Sequence, residues 1–173
     1  MVARLTLGKP KYADVQLEIE QLLQRAEQLR SRFQELMQAD IEAYGNLSAC
    51  FKMPRTTDEE KAARTQAIQQ RLREAALVPL EMTERAAELV RCCERIAEIG
   101  NVGVLSDIAV AAMQAVSAAQ GASCMVRVNV NAMKDQSLVE MFNRRLSTAL
   151  DTVATVSQRV MNPRMNDGGL QQG

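Results

Sequence analysis

Apolar side chains recur every three or four residues through the first third of the chain. After Pro10 the repeat runs through Ile19, Leu22, Ala26, Leu29, Phe33, Leu36, Tyr44, Leu47 and Phe51. This is the period of an amphipathic helix, so the pattern predicts one helix from about Val15 to Phe51, roughly 55 Å long at 1.5 Å per residue. Gly45 is a position where this helix can kink, and Pro54 ends it.

A second helical pattern follows at once. Thr57 and Glu60 have the spacing of a capping box, in which a hydroxyl and a carboxylate satisfy the first free amide groups of a helix. The apolar repeat then continues to Ile99. Pro79 is expected to kink or split this helix, because proline lacks the amide hydrogen and clashes with the preceding turn. Gly100 suits the left-handed position that closes a helix.

The next segment is rich in alanine and carries no charge between Asp107 and Arg127. Ser106 is predicted to cap a helix from Asp107 to about Gln120. Because this helix is apolar on nearly every face, we expect it at the centre of a helical bundle. The uncharged run approaches the length of a membrane span, but its glutamines and serines favour a core helix.

Residues 124–131 carry valines at alternate positions, as a strand does. A single strand in a helical chain has no strand to pair with, so a helix is predicted here as well. A last helix is predicted over Gln136 to Val160, and the tail 162–173 is predicted to be disordered.

Composition supports an all-α fold. Hydrophobic residues make up 47% of the 173 residues but aromatic residues only 3%, and the common residues are good helix formers. We therefore expect one domain over residues 1–161, a bundle of long, kinked, antiparallel helices around the alanine-rich helix. Lys plus Arg and Asp plus Glu number 21 each, so no overall charge attracts the chain to nucleic acid or to an anionic membrane.

The absence of histidine limits the chemistry of the chain. It excludes His-based zinc sites and catalytic triads that use histidine, and the four cysteines (Cys50, Cys92, Cys93 and Cys124) lack metal-ligand spacing. Reduced thiols in a cytoplasmic protein are the expected state, and residues 1–12 lack the apolar segment of a signal peptide. No metal site is predicted.

Two carboxylates stand out. Asp40 lies on or beside the apolar stripe of the first helix, where a charge is costly unless it is paired, although it can also lie at the stripe's edge and reach water or an arginine. Asp107 opens the least polar helix of the chain, so it is expected at the mouth of any cavity, although a favourable position at the helix N-terminus also explains it. Asn129 and Asn131, between valines, are either satisfied core amides or ligand contacts.

Several stretches in this order resemble one family. They are residues 1–12 (Met-Val-Ala-Arg-Leu-Thr-Leu-Gly-Lys-Pro-Lys-Tyr), residues 40–54 from Asp40 to Pro54, residues 57–64, Ala76 to Leu80, Gly100-Asn101, Ser106 to Ala112, and Gly121 through Asn131 to Asp135. Together they are similar to the cyclodeaminase domain of formiminotransferase-cyclodeaminase and to the bacterial methenyltetrahydrofolate cyclohydrolases. The resemblance covers roughly residues 1 to 150.

The resemblance implies an all-α bundle that forms a homodimer and binds a tetrahydrofolate derivative among its helices, with no further cofactor. The implied chemistry is ring closure of 5-formiminotetrahydrofolate with loss of ammonia, or interconversion of 5,10-methenyl- and 10-formyltetrahydrofolate. With no histidine, a carboxylate or a lysine must move the protons. Asp107 and Asp40 are the candidates for this role. Asn101, Asn129 and Asn131 are candidates for binding the pterin, and Lys9 and Lys11 for the glutamate tail.

The chain departs from the family at its start. In the family, a Pro-Gly-Gly-Gly-Ser loop and a first helix precede the stretch that matches residues 1–6, and such a loop offers backbone amides to a ligand. Their absence leaves a second hypothesis open: a non-catalytic helical module, derived from the same family, that dimerises or binds a partner through exposed apolar surface.

Overall fold

The computed structural model describes residues 1–162, and in that range every regular element is a helix, which confirms the all-α fold. The α-helices, in chain order, are α1 (Val2–Thr6), α2 (Gln16–Phe51), α3 (Asp58–Ile99), α4 (Leu105–Asn131) and α5 (Gln136–Met161). Short 3-10 turns, Pro10–Val15 and Val102–Val104, precede α2 and α4. The predicted helix over residues 124–131 is confirmed as the end of α4. Apart from Asn162, the predicted disordered tail lies outside the described residues.

One of the two predicted helix caps is confirmed, and the structure shows a further cap that the sequence analysis did not predict. Thr57 and Glu60 form the predicted capping box of α3, and the Asp135 carboxylate caps α5 by accepting hydrogen bonds from the first-turn amides. The prediction that Ser106 caps α4 is wrong. Val104 holds the cap position without a side-chain hydrogen bond, because the 3-10 turn leads directly into the helix.

Two predicted interruptions do not break the helices. α2 continues through Gly45 and ends at Phe51, before Pro54 is reached. α3 is not split at Pro79, which lies inside it. The carbonyl of Ala75, left free by the missing proline amide, instead accepts a hydrogen bond from the side-chain amide of Asn129 on α4 at 3.2 Å.

Gly100 ends α3 for a different reason than predicted. Its φ is −86° with ψ −174°, so it is extended and not left-handed. A Cβ at this position would lie 2.5 Å from the carbonyl oxygen of Ile96, which leaves room only for glycine. The extended exit carries the chain to Asn101, whose backbone amide donates to the buried hydroxyl of Thr6 on α1.

The long helices alternate in direction, and α3 packs against α2, α4 and α5. Its antiparallel pairing with α2 is marked by the ion pairs Glu18–Arg95, Arg25–Glu88 and Arg32–Glu81. α4 also runs antiparallel to α3, since Gln69 bonds Ala132 and Asn129 bonds Ala75. α5 runs parallel to α3, as the pairs Arg145–Glu84 and Arg159–Glu94 show. The predicted antiparallel bundle is confirmed.

The alanine-rich helix α4 is buried on one face only. The buried stripe consists of Ile108, Ala112, Ala115, Ala119, Ala122, Val126 and Val130, and its small side chains allow close packing. On the opposite face Val110 and Met113 are 48% exposed and Val128 is 72% exposed. The prediction that this helix lies at the bundle centre is therefore correct for one half of its surface. By length and composition alone, 102–131 is also long and apolar enough to cross a membrane, a test that core helices pass too.

Candidate functional site

Asp107 lies at an open depression at one end of the bundle. Its side chain is half-buried in the first turn of α4, where the helix dipole favours a negative charge. The depression has a volume of about 320 Å³ and is lined by Met1, Val2, Asp107, Ile108, Val110, Ala111 and Gln114. Asp107 makes no ion pair with any residue in 1–162. Its carboxylate is therefore available to a ligand, and Gln114 is a lining residue that the sequence pattern did not reveal.

Asp40, the second carboxylate, is half-buried on α2. Burial raises the pKa of Asp40 above its ordinary value, because the charged form loses hydration. None of the ion pairs within the described range includes Asp40, so no arginine in residues 1–162 is its partner. A carboxyl group with a raised pKa and no partner is suited to holding or moving a proton.

Asn101 is used to hold the connection between α3 and α4. Its side-chain amide donates to the carbonyl of Leu5 at 3.2 Å, and its Oδ1 accepts from the amide of Gly103 at 3.1 Å. The hydroxyl of Tyr12 accepts from the amide of Val102 in the same connection. These contacts join α1 to the start of α4 and so fix the rim near Asp107. A direct role of Asn101 in pterin binding would require exchange of both side-chain hydrogen bonds.

Asn129 and Asn131 differ in their surroundings. Asn129 is half-buried, and its Nδ2 donates to Ala75 and to Met125 at 3.2 and 3.0 Å. The interpretation of Asn129 as a satisfied core amide thus holds for its Nδ2 donor group. Its Oδ1 remains available as an acceptor. Asn131, the last residue of α4, is exposed.

Lys9 and Lys11 are both exposed in the segment that joins α1 to α2. The Lys11 ammonium lies 5.8 Å from the centre of the Tyr12 ring, a weak cation–π contact. Gly8, with φ +73°, turns the chain just before these lysines, and Gln16 holds the turn by bonding the Gly8 amide at 2.7 Å. The turn keeps both ammonium groups in solvent on the side of the bundle that carries α1.

The candidate residues fall into two groups at opposite ends of the bundle. The first group is Lys9, Lys11, Asn101 and Asp107, and the second is Asp40, Asn129 and Asn131. The ion pairs between α2 and α3 place Asp40 level with Arg73, which is close to the level of Asn129. Asp107 and Asn131 are separated by about 36 Å along α4. In residues 1–162 there is also no group of His, Cys, Asp or Glu side chains that could hold a metal ion.

Comparison with known proteins places this site in context. A methenyltetrahydrofolate cyclohydrolase of Methylorubrum extorquens is 34% identical over 160 residues, which are 92% of this chain and 77% of that protein. The formimidoyltransferase-cyclodeaminase of Rattus norvegicus is 29% identical over 161 residues, which are 93% of this chain but 30% of that longer protein. The match thus spans most of the bacterial relative and less than a third of the mammalian one.

A solved structure agrees with these matches. Formiminotetrahydrofolate cyclodeaminase from Thermotoga maritima has a TM-score of 0.83 and 27% identity, covering 92% of this chain and 76% of that one. The sequence profile of formiminotransferase-cyclodeaminase matches residues 1–148. With most of its length matched by the profile, the chain belongs to the formiminotransferase-cyclodeaminase family.

Proposed function

We propose that this protein acts in folate one-carbon metabolism as a methenyltetrahydrofolate cyclohydrolase, with formiminotetrahydrofolate cyclodeaminase activity as the second candidate. The observation that carries the proposal is the Asp107 carboxylate at an open depression, without an ion pair to any residue in 1–162, in a chain of this family. The bacterial cyclohydrolase, similar over most of its length, favours the first activity. The structural likeness to the Thermotoga maritima cyclodeaminase supports the second.

The hydrolysis needs one proton acceptor near the carbon that bridges N5 and N10. Water attacks this carbon of the cationic 5,10-methenyl group, and a carboxylate takes a proton from the water. The bond from the carbon to N5 then breaks, N5 receives a proton, and 10-formyltetrahydrofolate forms with net release of one proton. Asp107 is assigned the role of proton acceptor and donor, and its negative charge stabilises the cationic substrate.

Ring closure of 5-formiminotetrahydrofolate also needs one proton removed and one delivered. N10 attacks the formimino carbon and loses its proton, and the nitrogen that leaves is protonated and departs as ammonia. Asp40, whose pKa is raised by burial, is assigned the role of proton donor. At the Asp107 end of the bundle, Asn101 is assigned to the pterin and Lys9 and Lys11 to the glutamate tail. Asn129 and Asn131 are assigned to the pterin at the Asp40 end.

The proposal includes a homodimer in the cytoplasm with no cofactor besides the folate. Exposed apolar side chains on α4 support a subunit interface. The four cysteines are free in the structure, which suits a reducing compartment.

Replacement of Asp107 tests the proposal. The purified protein is incubated with 5,10-methenyltetrahydrofolate or 5-formiminotetrahydrofolate, and loss or gain of the methenyl absorbance is followed. Asp107→Asn should lower kcat by about 10²- to 10⁴-fold, the usual contribution of a general acid or base. Asp151→Asn, an exposed carboxylate on α5, is the matched control and should keep wild-type turnover. Full activity of Asp107→Asn would refute its assignment, and a folded wild type that turns over neither folate would favour the non-catalytic module.

A further inference from the structure

The buried Pro79 of α3 determines what Asn129 of α4 can bond. Pro79 has no amide hydrogen to give to the Ala75 carbonyl. A proline ring also crowds the carbonyl four residues before it, which favours an outward turn of that carbonyl. Nδ2 of Asn129 donates to the Ala75 oxygen at 3.2 Å. The proline thus supplies α4 with a backbone acceptor that an uninterrupted helix would use internally.

The side-chain amide of Asn129 is held in one orientation. Its two Nδ2 hydrogens go to two backbone carbonyls, those of Ala75 at 3.2 Å and Met125 at 3.0 Å. A carbonyl can only accept, so a flipped amide would place Oδ1 against both carbonyl oxygens. Nδ2 is therefore fully used, and Oδ1 is the polar atom of this side chain that is left for a ligand.

Oδ1 of Asn129 reaches the surface. Among residues 1–162, the one buried side-chain nitrogen or oxygen without a hydrogen-bond partner is Nε of Arg64. Oδ1 has no donor in that range either, because both bonds of the Asn129 side chain are made through Nδ2. An unpartnered atom that is not buried is in contact with solvent. The half-buried side chain thus directs a single acceptor outward.

The surroundings of Oδ1 suit one edge of a flat ring. Met125, one turn before Asn129, is 40% exposed, and Val78, about one turn after Ala75, is half-buried. A ring can rest on such apolar side chains while its edge meets a fixed polar group. An acceptor favours N–H groups and repels a carbonyl oxygen. On a pterin it therefore selects the edge with the 2-amino group and N3–H over O4.

We propose that Pro79 is a positioning residue for folate binding, and that Asn129 presents Oδ1 as a fixed acceptor to the edge of the pterin that carries the 2-amino group and N3–H. The inference rests on the proposed function, which assigns Asn129 to the pterin. With an alanine at position 79, the backbone amide bonds the Ala75 carbonyl. The Asn129 amide then keeps its bond to Met125 alone, and Oδ1 is no longer held.

Folate affinity tests the role of both residues. The probe is 5-formyltetrahydrofolate, which has the same reduced pterin but cannot lose ammonia, and calorimetric titration gives its Kd. Asn129→Ala should raise the Kd on the order of tenfold, and Pro79→Ala by about 3- to 10-fold, because one hydrogen bond is lost or loosened. Leu77→Ala is the matched control, since it changes a half-buried side chain on α3 but no backbone amide, and should keep the wild-type Kd. An unchanged Kd in Pro79→Ala, or an equal rise in Leu77→Ala, would overturn the proposal.

The double variant shows whether Pro79 acts through Asn129. Once the Asn129 side chain is removed, Pro79→Ala should change the Kd by less than about twofold. A full additional loss in the double variant would show that the proline acts by another route. In turnover of 5-formiminotetrahydrofolate, Pro79→Ala should raise KM by the same factor as the Kd and leave kcat within about twofold. A fall in kcat with unchanged KM would contradict a role in binding.

Proton exchange of the Asn129 side chain tests the hydrogen bonds without a ligand. In protein labelled with ¹⁵N-asparagine, the signal lost in Asn129→Ala identifies the Nδ2 group. Its hydrogens should exchange with water about 3- to 10-fold faster in Pro79→Ala than in wild type, and at the wild-type rate in Leu77→Ala. Equal rates in wild type and Pro79→Ala would refute the role of the proline. A wild type that binds no folate would refute the ligand together with the proposed function, whereas the exchange rates would still decide whether Pro79 positions Asn129.

Discussion

Asp40 shows at the scale of one residue how a position can favour chemistry at the expense of stability. Its side chain sits in a half-buried place on α2, without an ion pair in the described chain, so the ionised form has lost hydration that nothing replaces. The raised pKa of Asp40 follows from this loss. The folded protein thus binds a proton at Asp40 more tightly than the unfolded chain does, and ionisation of the group opposes folding.

Asp40→Asn is expected to be more stable than wild type at pH 7. As pH rises through the interval from the unfolded value near 3.8 to the raised folded pKa, wild type loses stability that the variant keeps. The Tm of the variant should exceed that of wild type by on the order of 1 °C at pH 7, and the gap should close as pH falls below 4. Thermal melts followed by circular dichroism from pH 3 to 8 measure the gap. Asp151→Asn controls for the loss of one charge, and a gap that widens toward low pH would contradict the cause.

The sequence was sufficient to single out Asp40 and Asp107 but not to show how far apart they lie. Periodicity placed Asp40 beside an apolar stripe, and a helix start placed Asp107 at the edge of the bundle. Their separation of about 36 Å depends on how far α2 and α4 slide along α3. That register is fixed by contacts such as Arg32–Glu81 and Asn129–Ala75, which are distant in sequence and have no local pattern.

At the scale of helices, Pro79 and Asn129 form one unit. Proline removes the amide that would bond the Ala75 carbonyl, and Asn129 from α4 supplies the missing donor at 3.2 Å. The helix remains continuous from Asp58 to Ile99 for this reason, although proline in a helix predicts a break. The sequence alone reveals that the carbonyl four residues before an interior proline lacks its helical donor. It does not reveal which residue supplies the replacement donor.

A double-mutant cycle measures this coupling. Asn129→Ala should lower the free energy of unfolding by about 1–3 kcal/mol in wild type, because the Ala75 carbonyl then lacks its donor. In Pro79→Ala the backbone amide at position 79 can bond that carbonyl, so the same substitution should cost about 1 kcal/mol less. Urea unfolding at one fixed protein concentration gives the four values. Asn131→Ala, an exposed residue on the same helix, should cost the same in both backgrounds. Equal costs for Asn129→Ala would show that the two residues are independent.

At the scale of the whole molecule, α4 shows why the sequence predicts the helical bundle better than it predicts which faces of the helices are exposed. A helix that is apolar all round is expected to be buried all round. The bundle covers only the stripe that contains Ala112 and Ala119, and the face with Val110 and Val128 stays exposed in one chain. Sequence pattern does not distinguish burial within a chain from burial between chains, because both need the same side chains.

The reactivity of the four cysteines tests whether the exposed face of α4 is buried between two chains. Burial raises the pKa of Cys93 to about 11, and Cys50 and Cys92 are also buried, so these thiols should react with a maleimide only after unfolding. Cys124 is exposed on the outer half of α4 and should react in the folded protein. If two copies pair through this face, labelling of Cys124 should slow by at least about tenfold as protein concentration rises through the dimer Kd, because mass action removes the free monomer. Peptide mass spectrometry after timed labelling gives the rate at each concentration. Val128→Glu, which carries the same thiol but places a charge on this face, should label at one rate throughout. A concentration-independent rate in dimeric wild type would place the interface elsewhere.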